Sequence, residues 1–166
     1  ALEEFPPSAE GAAVEALAPD LHMAALENDV EALREGIAAG GDVNEEAPGT
    51  RSTPLITASM FGSTEAARAL IDAGADLDLQ NADGSTALIT AAFMGRTEIV
   101  EALVEAGADR SIRNNAGSTA LDAVSAPFES VEGIYDYLVT ALGPYGLEQD
   151  YDRLQEARPV IADKLR

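Results

Sequence analysis

Three copies of one short pattern, set at a constant interval, limit this chain more than anything else in it. Thr53, Thr86 and Thr119 open the matching segments TPLITAS, TALITAA and TALDAV at intervals of 33 residues. Gly40-Gly41-Asp42, Gly74-Ala75-Asp76 and Gly107-Ala108-Asp109 recur at intervals of 34 and then 33. Two unrelated markers that keep one period identify repetition, and a repeat of this length folds as a row of small units, each covering its neighbours.

The unit is clearest from Asn81 to Arg113. Asn81-Ala82-Asp83-Gly84-Ser85 holds an Asp-Gly pair between polar neighbours, which predicts a hairpin tip with positive φ. Ala87 to Met94 predicts a short helix of small residues, stopped by Gly95. Thr97-Glu98 starts a second helix, with Ile99, Val100, Leu103 and Val104 on one face and Glu98, Glu101 and Glu105 on the other. Gly107 stops it, and Ala108 to Arg113 leads to the next hairpin. Isolated helices below roughly 12 to 15 residues are marginal in water, so each copy must stack on the next to be stable.

With this hairpin, TPL-type helix start, glycine break, apolar second helix and Gly-Ala-Asp ending, the unit resembles an ankyrin repeat. The resemblance spans about Pro19 to Gly143. It implies an all-α ankyrin-repeat α-solenoid of four repeats (about 19–44, 45–80, 81–113 and 114–143) with short β-hairpin loops. An N-terminal extension at 1–18 and a C-terminal helical cap at 144–166 complete this division.

Departures from the unit carry their own expectations. Ala1 to Glu10, with Pro6-Pro7, reads as an extended leader, and Ala12 to Ala18 as a helical turn. The first repeat keeps Leu21-His22-Met23-Ala24-Ala25 but lacks the hairpin, as suits an end cap. The interval from Asp42 to Thr53 is one residue longer than its later counterparts, and Arg51 replaces the glycine found at Gly84 and Gly117. In the fourth repeat Pro127 ends the first helix, and Ile134 to Leu138 matches Ile99 to Leu103 only with two residues inserted, which predicts a longer inter-helix loop. Gly143-Pro144-Tyr145-Gly146 breaks the chain. Leu147 to Ala157 and Pro159 to Arg166 read as two terminal helices, with Pro159 at a first helical position.

Ten basic against 30 acidic residues give a net charge of −20, with no Lys or Arg before Arg34 or between Arg113 and Arg153. Such a surface repels phosphate backbones, which argues against a nucleic-acid ligand. The acidity serves solubility or faces a basic partner. The chain has no cysteine, so neither disulfides nor thiolate metal sites are available. No apolar run reaches the roughly 20 residues of a membrane helix, so no membrane insertion is expected. Residue 1 is Ala, which fits a processed exported chain (periplasmic or extracellular) as well as a trimmed cytoplasmic one. A monomer is expected.

No catalytic residue, cofactor or metal is indicated. His22 stands alone, and a histidine in its slot of the family pattern bonds neighbouring backbone; a catalytic histidine would need a nucleophile or carboxylate partner. Asp76-Leu77-Asp78-Leu79-Gln80 alternates oxygen ligands, but Asn81 and Ala87 stand where a calcium loop has glycine and glutamate, so capping and inter-repeat hydrogen bonding is the better reading. No nucleophile elbow, phosphate loop or dinucleotide fingerprint occurs.

The resemblance places the two residues before each mid-repeat glycine on the inner, concave face. Here they are Met60-Phe61, Phe93-Met94 and, before Asn28, Leu26-Glu27. Large apolar side chains in a row at such a surface mark a partner site; the other reading is that Met60 and Phe93 fill gaps between helices. Thr50, Arg51, Asp83, Ser85, Ala116 and Ser118 would form the rim. Tyr135, Tyr137 and Tyr145 either extend the site or cap the stack. The expected function is non-catalytic binding of an unidentified partner protein through the concave face, a basic one where the acidity faces the partner instead of serving solubility. The alternative is a small-ligand or enzymatic site between the fourth-repeat loop and the terminal helices.

Overall fold

The computed structural model describes residues 20–166; the leader and the turn expected before Pro19 lie outside the described residues. The helices are α1 Leu21–Leu26, α2 Val30–Ala38, α3 Pro54–Phe61, α4 Thr64–Asp72, α5 Ala87–Phe93, α6 Thr97–Glu105, α7 Ala120–Ser125, α8 Phe128–Leu142 and α9 Tyr151–Leu165. A 3-10 turn, Gly143–Tyr145, follows α8. Among the described residues no strands form; the hairpins are tips closed by two backbone bonds each, Ala47 N to Ser52 O with Arg51 N to Ala47 O, Asn81 N to Ser85 O with Gly84 N to Asn81 O, and Asn114 N to Ser118 O with Gly117 N to Asn114 O.

The repeated threonines act as helix caps. The hydroxyl oxygens of Thr53, Thr86 and Thr119 accept from the amides of Ile56, Ile89 and Asp122 at 3.3, 3.2 and 3.2 Å. Each satisfies an amide that has no partner inside its helix. Asp122 returns the favour, its carboxylate accepting from Thr119 N at 3.0 Å, which completes a capping box. Gly62 and Gly95 turn the chain at φ +72, and Asn28 does the same at φ +56.

Helices α1, α3, α5 and α7 form an inner row, each packed on the next, with α2, α4 and α6 behind them as an outer row. The outer helices bury residues at spacings of one and four: Ala66, Ala67 and Leu70, then Ile99, Val100 and Leu103, all at 0% exposure. Each larger one contributes roughly 1.5–3 kcal/mol by leaving water.

The expected longer inter-helix loop in the fourth repeat is not found. Ala126 and Pro127 alone separate α7 from α8, and α8 is not the outer partner of α7. That place belongs to α9, which packs on both α7 and α6. Ile161, Ala162 and Leu165 repeat the burial of Ile99, Val100 and Leu103, and Lys164 Nζ meets Glu101 Oε1 at 2.6 Å. The fourth repeat is therefore split, with α8 inserted between its inner and outer helices. The two terminal helices expected around Pro159 are one helix, with Pro159 inside it. Gln155 and Pro159 are both exposed, so the carbonyl that loses its donor there is left to water.

Candidate functional site

The inner row offers a concave face, built from one repeat to the next by a recurring contact. The last carbonyls of successive inner helices accept hydrogen bonds from the unit that follows. Leu26 O takes Ser63 Oγ at 3.2 Å, Met60 O takes Arg96 Nη2 at 2.9 Å, and Phe93 O takes the Tyr135 hydroxyl. Burial pushes the Arg96 guanidinium pKa down; this side chain fills the space over Gly62, where a Cβ would stand 2.9 Å from Arg96 Cζ. Tyr135 comes from α8, not from an outer helix. The insertion thus lies across the concave side and makes the third of these bonds.

Only Tyr135 of the fifteen residues in α8 is buried. Its ring stacks on Phe93 with centroids 4.4 Å apart and lies 5.8 Å from Phe128, a geometry worth about 0.5–1.5 kcal/mol beyond burial. The Arg158 guanidinium, itself 5% exposed, donates to the Tyr135 oxygen at 3.3 Å and to Ala126 O. Burial pushes the Tyr135 phenol up, with Arg158 opposing. Tyr151 donates to Asp136, and that hydrogen bond first of all holds its phenol up at about 12.

These contacts revise the expected binding row. Met94 is 1% exposed, packed with Tyr135, Leu147 and Leu154 in a second core cluster, so it is not a free contact residue. Phe93 is half-buried beneath Tyr135, and Met60 and Phe61 are half-buried beside the same cluster. The cause is α8 and the start of α9, which cover the C-terminal half of the face. The two readings of the Met–Phe pairs therefore divide by position.

Leu26, Met60 and Phe61 remain on an open groove of about 700 Å³. Its floor adds His22, Ile56 and Thr57; Ala47 to Thr50 and Asn81 to Asp83 form one wall, and Leu138, Leu142 and Tyr145 the other. A second hollow of about 220 Å³, holding Ser85, Ile89, Phe93 and Ile134, shares Met60, Asn81, Asp83 and Leu138 with it. Together they make a channel between the hairpin tips and α8. Glu27, Arg51, Ala116 and Ser118 do not line it. Arg51 is exposed and paired with Glu46 at 3.3 Å.

Sequence reasoning missed Leu138, Leu142 and Ile134 as a wall, because Ile134 to Leu138 matches the pattern of an outer helix. The signal that could have found it is Ile161-Ala162 with Leu165, which matches Ile99-Val100 with Leu103 at 62 residues' distance. Both ring nitrogens of His22 are buried with no hydrogen-bond partner among the described residues, so the expected backbone contact is not found there. Asp76 and Asp78 accept from backbone amides, Asp78 from the next repeat's Asp109 N at 2.9 Å.

At the place of the alternative small-ligand site, a hollow of about 370 Å³ lies between Val124, Ser125 and Phe128 and the α9 residues Gln155, Arg158 and Ala162; another of about 560 Å³ lies between Arg96 and the Gly146–Asp150 segment. Its Glu148 and Asp150 are exposed, and Asp150 Oδ1 caps α9 through Asp152 N and Arg153 N at 3.1 and 3.2 Å. No helix among the described residues is long and apolar enough to cross a membrane.

A family model described as ankyrin repeats, in three copies, matches residues 21–127, well over half of the 166 residues. No individual curated protein matches the chain.

Proposed function

Because this chain belongs to the ankyrin-repeat family, whose stacks are as a rule non-catalytic protein-interaction modules, we propose that it binds a partner protein in the concave channel between the hairpin tips and α8. The groove of about 700 Å³ carries this reading. It is apolar yet open: Met23 is 46% and Tyr145 63% exposed at its edges. Apolar surface gathered in a concavity and left at water marks a partner site. Leu26, Met60 and Phe61 supply the area to be desolvated, while Thr50, Asp83 and Ser85 supply polar selectivity. Phe93 and Met94 act indirectly, by holding α8 in place.

The test is affinity capture from native lysate with the wild-type chain and with Met23→Glu, which alters an exposed position and spares the core. Loss of a specific partner in the variant is expected. A partner retained equally by both would overturn the concave-face reading.

A further inference from the structure

We propose that the partner segment is a basic amphipathic helix that lies alongside α8 in the open part of the channel, with its apolar stripe on Met23, Leu26 and Met60. This rests on the reading of the concave face as the binding site and adds the chemistry of what it takes. Two observations carry it.

The first is what already occupies the face. The inner row accommodates α8 through large side chains on one side of that helix: Tyr135, Leu138 and Leu142 all pack into the cluster containing Met60, Phe61 and Phe93. Their spacing of three, four and seven is one stripe of a helix. Leu138 and Leu142 reach past that cluster and line the open groove as well. The interface of α8 with the stack therefore runs on, uninterrupted, into the groove of the first two repeats. A second helix placed there finds Met23, Leu26 and Met60 below it and Leu138 and Leu142 beside it, the helix-in-groove arrangement of apolar anchors.

The second is charge. His22 aside, Asp83 is the one ionisable acid or base among the residues of the groove's floor and hairpin wall. On the hairpin side Glu45 and Glu46 are exposed, and Arg51 is neutralised by Glu46. On the far side the exposed Glu129, Glu132 and Asp136 of α8 lie away from Leu138 and Leu142, with Asp136 accepting from Tyr151, and no Lys or Arg occurs between Arg113 and Arg153. An incoming helix thus meets carboxylates on the hairpin edge, at Glu45 and Asp83, and no Lys or Arg on the α8 edge, so a basic residue beside its apolar stripe meets opposite charge while an acidic one is repelled.

The probes are three synthetic peptides of equal length: one with Leu at three- and four-residue spacing among Lys, one of the same composition with Leu scattered around the helix, and one with the patterned Leu among Glu. Binding is measured by calorimetry at moderate salt and mapped by amide and methyl chemical shifts on the full chain. The patterned basic peptide is expected to bind one to one, at least about tenfold tighter than either other peptide, since apolar anchors and charge each favour it. Shifts should fall on Met23, Leu26, Met60 and Leu142. Met23→Ser and, separately, Leu26→Ser should each weaken it about tenfold, with unchanged circular dichroism.

Equal binding of the two basic peptides, shifts confined to the outer helices, or binding of the acidic peptide as tight as that of the basic one would each overturn the proposal. Its failure is distinguishable from failure of the binding face: a native partner lost in Met23→Glu but not displaced by the patterned basic peptide leaves the concave site standing and removes the basic helix.

Discussion

Tyr135 stacks its ring on Phe93 at 4.4 Å and donates its hydroxyl to the carbonyl of that same residue. One side chain of the inserted helix is thereby locked to the last residue of an inner helix by both its faces of chemistry, apolar and polar. The remainder of α8 is intermediate or exposed, so this pair is the main latch between the insertion and the stack.

Tyr135→Phe should cost about 1 kcal/mol and Tyr135→Ala about 3–5, through the lost bond and the cavity respectively. In the alanine variant, amide hydrogen exchange should rise across Leu138 and Leu142 while α3 and α5 stay protected. Uniform loss of protection across the stack would show that α8 is part of its core and not an attachment.

Arg51 and Asn28 both hold positive φ, at +55 and +56, yet glycine should act oppositely at the two. At Arg51 the side chain offers only an exposed pair with Glu46, so Arg51→Gly relieves left-handed strain and should raise stability by about 1 kcal/mol. Asn28 accepts from Ala66 N at 2.9 Å and donates to Glu65 at 2.7 Å, so Asn28→Gly should lower it by about 1–2 kcal/mol. Thermal unfolding of both variants checks the sign.

Gly95 is held at φ +72, and a Cβ there would meet Leu154 Cδ1 at 2.8 Å. Gly107, at φ +91, has nothing within 4 Å. Gly107→Ala should cost about 1 kcal/mol from backbone strain alone, and Gly95→Ala clearly more. Urea unfolding midpoints that coincide for the two would show that Leu154 swings aside freely.

The Tyr151 phenol is raised from 10 to about 12 by its bond to Asp136. A tyrosine pKa higher in the folded than in the unfolded chain means the neutral, folded form is favoured below pH 10. That contribution is lost as pH climbs towards 12. Ultraviolet phenolate titration should show Tyr135 and Tyr151 as late tyrosines, with only Tyr151 moved to lower pH in Asp136→Asn, and α8 loosening over the same window in the wild-type chain.

Much of this was legible in the chain. The period, the threonine caps, the glycine breaks and the buried stripe of α6 follow from local spacing, since each depends on hydrogen bonds and packing within one unit. Arg51 was visibly out of place for the same reason. The binding row was legible as a pattern of residue types, but Met94 could not be separated from Met60, because burial depends on what arrives from 40 residues away.

Sequence alone determined that the chain is an ankyrin stack, because repetition forces each short amphipathic unit to cover its neighbour. Only the tertiary structure decided that Phe128–Leu142 leaves the stack to lie over its inner face and that Tyr151–Leu165 closes the fourth repeat. Both helices are amphipathic and either could have filled the outer position by pattern. The choice between them rests on long-range packing of Tyr135 with Phe93 and Arg158, and of Ile161 and Leu165 in the main core, which no local periodicity encodes.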